Sequence, residues 1–160
     1  MIIRDFQKND LESSEEISTL YWNDLEFLKE LSDTLKMYIN QTEECINEKY
    51  RFFVAEEKGE IVGIAGFRNA PDYLRQHAKT NNPAELYIIA VKYKGRGIGK
   101  ELRLKILEEG KNIGFTEIIL YSPNSHEKSW VFYEKSGFER IGEITAPDGE
   151  PGQVWQKLYR

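Results

Sequence analysis

The sequence predicts an α/β fold, with a mixed, open sheet at its centre and helices flanking it. Three observations carry that expectation. The hydrophobic period is helical over residues 10–48 and becomes strand-like from residue 51. A wholly apolar run, Leu86–Val91, precedes a glycine-rich turn and a second helical pattern; such a run suits a central strand covered on both faces. Beyond it, short apolar segments alternate with turn residues and one short helical stretch.

Each element follows from local chemistry. Ile2–Phe6 reads as a short first strand. Asp10–Glu48 reads as two helices: Leu25, Leu28, Leu31, Leu35 and Tyr38 recur at steps of three and four, and Asn23-Asp24 offers an N-cap to the second helix. Arg51–Ala55 and Ile61–Ala65 flank the polar turn Glu56–Glu60 and form a hairpin. Residues 69–83 carry two prolines, three asparagines and an aspartate, and read as a long surface loop. After Leu86–Val91 a helix runs from Ile98 to Asn112, with Ile98, Leu102, Ile106 and Leu107 on one side. Glu117–Tyr121 is a further strand. Ser125 caps a short helix that continues to Ser136, and Gly137 ends it. Phe138–Thr145 and Gln153–Tyr159 are the last two strands.

The chain of 160 residues is expected to be a single domain, 1–160. Apolar residues make up 40% and charged residues 31%, which excludes disordered, collagen-like and low-complexity classes. No run approaches the ~18 apolar residues that cross a bilayer, and Met1–Asp5 lacks the basic-then-apolar pattern of a signal peptide. The one cysteine, Cys45, has no intramolecular disulfide partner. These features suit a cytoplasmic protein with no membrane partner. Net charge is −5, from 22 Lys plus Arg against 27 Asp plus Glu, so nucleic acid is not expected as a partner. His77 and His126 stand far apart and make no zinc spacing with Cys45, so no metal is expected.

The strongest local signal is Lys94-Gly95-Arg96-Gly97-Ile98-Gly99-Lys100, which follows the buried strand and opens a helix. Glycines allow positive φ and close approach of a ligand to the backbone. The free N–H groups of a first helical turn favour an anion. Lys92, Lys94, Arg96, Lys100, Arg103 and Lys105 crowd this segment against the single acid Glu101, which points to a phosphate-bearing ligand. A P-loop does not fit: Lys94 stands where its first glycine belongs, and Glu101 where Ser or Thr should hold Mg²⁺. A dinucleotide fingerprint fails because position 100 is Lys. Kinase signatures are missing.

Lys94 to Gly99 follows the pattern [R/Q]-x-x-G-x-[G/A] except at its first position, and Trp130-Val131-Phe132-Tyr133-Glu134-Lys135-Ser136-Gly137-Phe138 looks like an "FYeKxGF" element. With these motifs the chain resembles the GNAT superfamily of acyl-CoA-dependent N-acyltransferases, over most of its length. The resemblance implies a mostly antiparallel open sheet whose central parallel pair, Glu85–Val91 and Glu117–Tyr121, splays to admit acetyl-CoA as co-substrate. It implies that backbone N–H groups of Gly95, Arg96, Gly97, Ile98, Gly99 and Lys100 hold the pyrophosphate. The strand end Ile89-Ala90-Val91 would pair with pantetheine, a backbone N–H there polarising the thioester carbonyl. Tyr133 matches the family's general acid; without the motif it reads as a core tyrosine between Trp130 and Phe138. Glu85 is on the right strand to act as base through water, or is a solvent-exposed strand-end acid.

Three features depart from the family pattern. Lys94 replaces the usual Arg or Gln, giving a point charge without a planar fork. The segment between Val91 and Lys94 is about two residues shorter than usual, which leaves Ile89 and Val91 both open as the position nearest the thioester. His126 stands where Asn is common, with Asn124 close by, and either can make the polar cofactor contact. Cys45, among Glu43, Glu44 and Asn47, reads as an ordinary helix position. Asp148-Gly149-Glu150 and Asp72-Tyr73 read as surface turns that can border an amine. The function implied is N-acetyl transfer from acetyl-CoA to a primary amine of a small molecule or peptide. The alternatives are a non-catalytic acyl-CoA-binding module of the same fold and an ATP binder, which the absent Walker residues disfavour. A homodimer is compatible with the resemblance.

Overall fold

The computed structural model describes residues 1–159. The chain folds as two units: Met1–Arg68 with Tyr87–Glu108, and Asn69–Leu86 with the chain from Glu109 onward. The first unit contains β1 (Ile2–Asp5), a 3₁₀ turn (Lys8–Asp10), α1 (Leu11–Ser18), α2 (Leu25–Ile39), α3 (Glu43–Asn47), β2 (Arg51–Glu57) and nearly all of β3 (Glu60–Asn69). It also holds the later part of β4 (Pro83–Val91) and most of α5 (Ile98–Ile113).

α2 starts at the expected cap, where the Asp24 carboxylate accepts the Glu26 N–H at 3.0 Å. Leu31, Leu35 and Tyr38 are buried, but Leu25 is 80% exposed. Phe27, not Leu25, begins the packed stripe. The two expected helices are three. Gln41 takes a positive φ, and Thr42 caps α3 by accepting the Cys45 N–H at 3.2 Å. That extra turn puts Cys45 into the aromatic core with Phe6, Tyr38 and Phe52. Burial, with the nearby Glu44 charge, pushes its thiol up from the ordinary value. The hairpin turn is tighter than the sequence suggests. Glu57 pairs with Glu60 around Lys58 and Gly59, which have φ of 52° and 80°. Two positive-φ residues match the twist of the flanking strands.

β3 passes close to α5 at Gly63. A Cβ there would lie 2.8 Å from Leu102 and 3.0 Å from Ile98. The missing side chain lets the start of α5 settle against the strand. Gly63→Val is therefore expected to destabilise the protein by about 1–3 kcal/mol through overpacking, read as a lower urea midpoint.

The second unit contains the start of β4, α4 (Asp72–Arg75), the end of α5, β5 (Glu117–Pro123) and a 3₁₀ turn (Asn124–Ser129). α6 (Trp130–Lys135), β6 (Glu139–Thr145) and β7 (Pro151–Leu158) complete it. Residues 69–83 are not one surface loop, as expected from their composition. α4 lies within them, and Ala70 and Leu74 pack with Ile119 and Val154 in a small buried cluster. β4 pairs in parallel with β5 at Pro83–Glu117, Ala84–Ile118 and Glu85–Ile119, and both strands continue beyond these pairs. β5 and β6 each pair antiparallel with β7. The sheet order is β1-β2-β3-β4-β5-β7-β6, mostly antiparallel with one parallel pair, as expected. Ser125 does not cap the helix that follows; the 3₁₀ turn starts after Pro123, and no side chain caps it.

Glu117 ties this unit together. Its carboxylate, fully buried, accepts the N–H groups of Lys79 (3.1 Å) and Thr80 (2.6 Å), the Thr80 hydroxyl (2.6 Å) and the Gln156 amide (2.6 Å). Burial opposes its charge, but these donors outweigh burial and hold the carboxyl below the ordinary glutamate range. A carboxyl lowered by folding stabilises fully above its unfolded pKa of about 4.3. That contribution disappears as pH falls through the folded value. Glu117→Gln, which turns one acceptor oxygen into an NH₂ facing donors, is expected to cost about 3 kcal/mol at pH 7. The loss relative to wild type should shrink in acid; thermal melts at pH 7 and pH 3.5 check both points.

Candidate functional site

In the first unit, β4 ends at Val91 and α5 begins at Ile98. Gly95 and Gly97 in the turn between them have φ of 76° and 79°, a region that favours glycine. A Cβ at either would meet nothing within 4 Å, so the turn is open on its outer side. The Gly97 carbonyl accepts the Glu101 N–H at 3.1 Å. The N–H groups of Ile98, Gly99 and Lys100 precede that first intrahelical bond and have no acceptor within the helix. Such a turn can hold an anionic group against the positive end of α5.

The cations of this segment do not act alike. Lys92 pairs with Glu60 at 3.6 Å, and Lys105 stacks over Phe53. Arg103 is half-buried, with its Nε buried and without a hydrogen-bond partner. Lys94, Arg96 and Lys100 are exposed at the turn itself. Arg96 stands 4.7 Å over the Tyr93 ring, and Lys94 stands 5.4 Å over the Tyr21 ring.

Tyr21, just after α1, is a residue that sequence reasoning missed. Its hydroxyl donates to the Val91 carbonyl at 2.9 Å and lies 3.4 Å from the Val91 N–H. Backbone direction alternates along a strand. The Lys92 N–H donates to Val62 on β3 at 2.8 Å, so Val91 and Ile89 direct their backbone groups away from β3. Tyr21 thus occupies the last such position, while Ile89 holds the one before it; Ala90 lies on the β3 side. An open groove of about 420 Å³ on the same unit is lined by Glu26, Glu30, Asp33 and Glu44, with Lys29 and Arg68 as its cations. Lys29 bridges to Asp33 at 3.0 Å. Arg68 donates to the Tyr50 hydroxyl at 2.7 Å. Glu30 accepts the hydroxyl of Tyr87, two residues before Ile89, at 3.0 Å.

The other expected site residues belong to the second unit. Glu85 is buried and lies in the parallel ladder opposite Ile119, which corrects its reading as a solvent-exposed acid. Asn124 is exposed and His126 half-buried, both on the 3₁₀ turn. Trp130 donates to Ser122 at 3.1 Å and fixes the start of α6 to β5. Tyr133 is half-buried, with the rings of Phe132, Phe138 and Trp155 at 5.7, 6.0 and 5.8 Å. Its carbonyl accepts the Phe138 N–H, the Glu134 carbonyl accepts the Gly137 N–H, and Gly137 has φ of 86°. This is a Schellman termination, and the Phe138–Tyr133 contact is its usual hydrophobic partner. Gly137 therefore lies past the helix end. Tyr121 links the segments around Tyr73 and Glu150: its hydroxyl donates to the Glu150 carbonyl at 2.5 Å, and its ring lies edge-on to Tyr73 at 6.5 Å. Burial, then the Glu150 and Asp148 charges, pushes Tyr121 up to about 12.

Among the described residues no grouping of His, Cys, Asp and Glu can hold a metal, and no helix is long and apolar enough to cross a membrane. A family model described as "Acetyltransferase (GNAT) family" matches residues 14–138. N-acetyltransferase 8B of Homo sapiens is 25% identical over 122 residues, which are 75% of this chain and 49% of that protein. The chain spans about half the length of the first curated relatives it matches. An N-acetyltransferase from Staphylococcus aureus Mu50 superposes with a TM-score of 0.75 at 21% identity, over 99% of this chain and 98% of that one. PaiA N-acetyltransferase from Thermoplasma acidophilum, solved in complex with coenzyme A, superposes with a TM-score of 0.68 at 19% identity, over 99% and 98%.

Proposed function

Because the chain belongs to the GNAT acetyltransferase family, we propose that it moves an acetyl group from acetyl-CoA to a primary amine. The observation that carries this reading is the open glycine turn at the start of α5, with three exposed cations beside it. Acetyl-CoA supplies a thioester carbonyl; as a neutral amine attacks, a C–N bond forms and the C–S bond breaks. In this reading the N–H groups of Gly95–Lys100 hold the diphosphate, helped by Lys94. The Ile89 N–H polarises the carbonyl. Tyr21 already engages Val91, which favours Ile89 of the two candidates. Tyr133 donates its phenolic proton to the departing sulfur, and Glu85 takes the amine's proton through water. Asn124 or His126 adds a polar contact to the bound donor. The carboxylates lining the 420 Å³ groove support an acceptor that carries positive charge.

Titration calorimetry with acetyl-CoA and with ATP tests the donor. Binding of acetyl-CoA alone is expected, and binding of ATP alone would overturn the reading. A thiol-release assay over a panel of polyamines, aminoglycosides, amino acids and peptides then tests the transfer. Tight acetyl-CoA binding with no release from any amine would leave an acyl-CoA-binding module instead of an enzyme.

A further inference from the structure

We propose that Tyr21 is a positioning residue for the acyl-CoA donor, acting at both ends of the short span from Val91 to Lys94. This rests on the acyl-CoA reading above. The hydroxyl takes the backbone of Val91 out of play: it donates to the carbonyl at 2.9 Å and covers the N–H at 3.4 Å. An extended amide chain laid along the outward edge of β4 then finds its last open backbone pair at Ile89. The ring does a second job. Lys94 Nζ stands 5.4 Å from its centroid, which holds the ammonium beside the glycine turn. Lysine lacks the planar, preorganised fork of arginine. The tyrosine face supplies a fixed seat for a side chain that otherwise samples many rotamers. The hydroxyl bond to β4 and the Trp22 ring at 5.8 Å fix the face itself.

The ring's role is tested by a double-mutant cycle read as acetyl-CoA affinity in calorimetry. Tyr21→Leu should weaken binding about two- to fivefold, the range of an exposed cation–π contact. In a Lys94→Met background the same change should have less than about a twofold effect, because the two residues act as one. Tyr21→Phe, which keeps the ring, should stay closer to wild type than Tyr21→Leu. Additive losses, or a Phe variant as weak as the Leu variant, would overturn the proposal. The hydroxyl's role is tested on the unaltered protein by a crystal structure with coenzyme A. The expected result is a ligand amide on Ile89 with Tyr21 still bonded to Val91. A ligand amide on Val91 with Tyr21 displaced would overturn it. Wild-type protein that does not bind acetyl-CoA at all would instead remove the donor reading on which this proposal depends.

Discussion

Gly97→Val is expected to weaken acetyl-CoA binding by about 100-fold or more while the protein still folds. Two separate physical effects meet at this residue. The φ of 79° strains any L-residue, at a cost of about 1–2 kcal/mol of stability. The space is different in kind: a Cβ meets nothing within 4 Å, so the isopropyl group projects into the open side of the turn, where the proposed reading seats the diphosphate. Blocking two charge-assisted hydrogen bonds forfeits roughly 3–6 kcal/mol of binding, or more than two decades of affinity. Gly59 provides a matched control. It has φ of 80° and is equally open, but it sits in the β2–β3 hairpin turn. Gly59→Val should therefore lose similar stability and keep normal affinity. If both variants fold and bind alike, the turn is not the donor site.

Tyr133→Phe should lower kcat about 100-fold and leave acetyl-CoA affinity within about twofold. General acid catalysis contributes ~10²–10⁴-fold where the leaving group needs a proton. The substitution removes one hydroxyl and keeps the ring, so the contacts with Phe132, Phe138 and Trp155 survive. The helix stop at Gly137 is main-chain and also survives. A loss confined to kcat is the mark of an interaction made only in the transition state. Equal kcat for the two proteins, with a chemical step shown to limit the rate, would remove Tyr133 from the acid role.

The parts of this molecule that sequence reveals are those set by local rules. The Gly95–Gly97 turn is legible because positive φ demands glycine and a helix start demands free N–H groups. The Asp24 cap and the 51–65 hairpin follow from side-chain chemistry within a few residues. What escapes is set by partners far along the chain. Tyr21 looks like one more aromatic after a helix until its hydroxyl meets a carbonyl 70 residues away. Glu117 reads only as the first residue of a strand, yet its donors come from Lys79, Thr80 and Gln156. Leu25 misleads in the opposite sense: its spacing fits the stripe of α2, but the first turn projects past the core into water. Residues 69–83 show the same limit. Proline and asparagine mark turns correctly but do not reveal that Leu74 between them is buried.

Cys45 has a practical consequence. The chain's sole sulfhydryl is 2% exposed, and its surroundings disfavour the reactive anion. A chromogenic disulfide reagent mixed with the folded protein should thus meet almost nothing to react with. Colour in a turnover experiment would then count liberated coenzyme alone, and a slow background rise would report molecules coming unfolded.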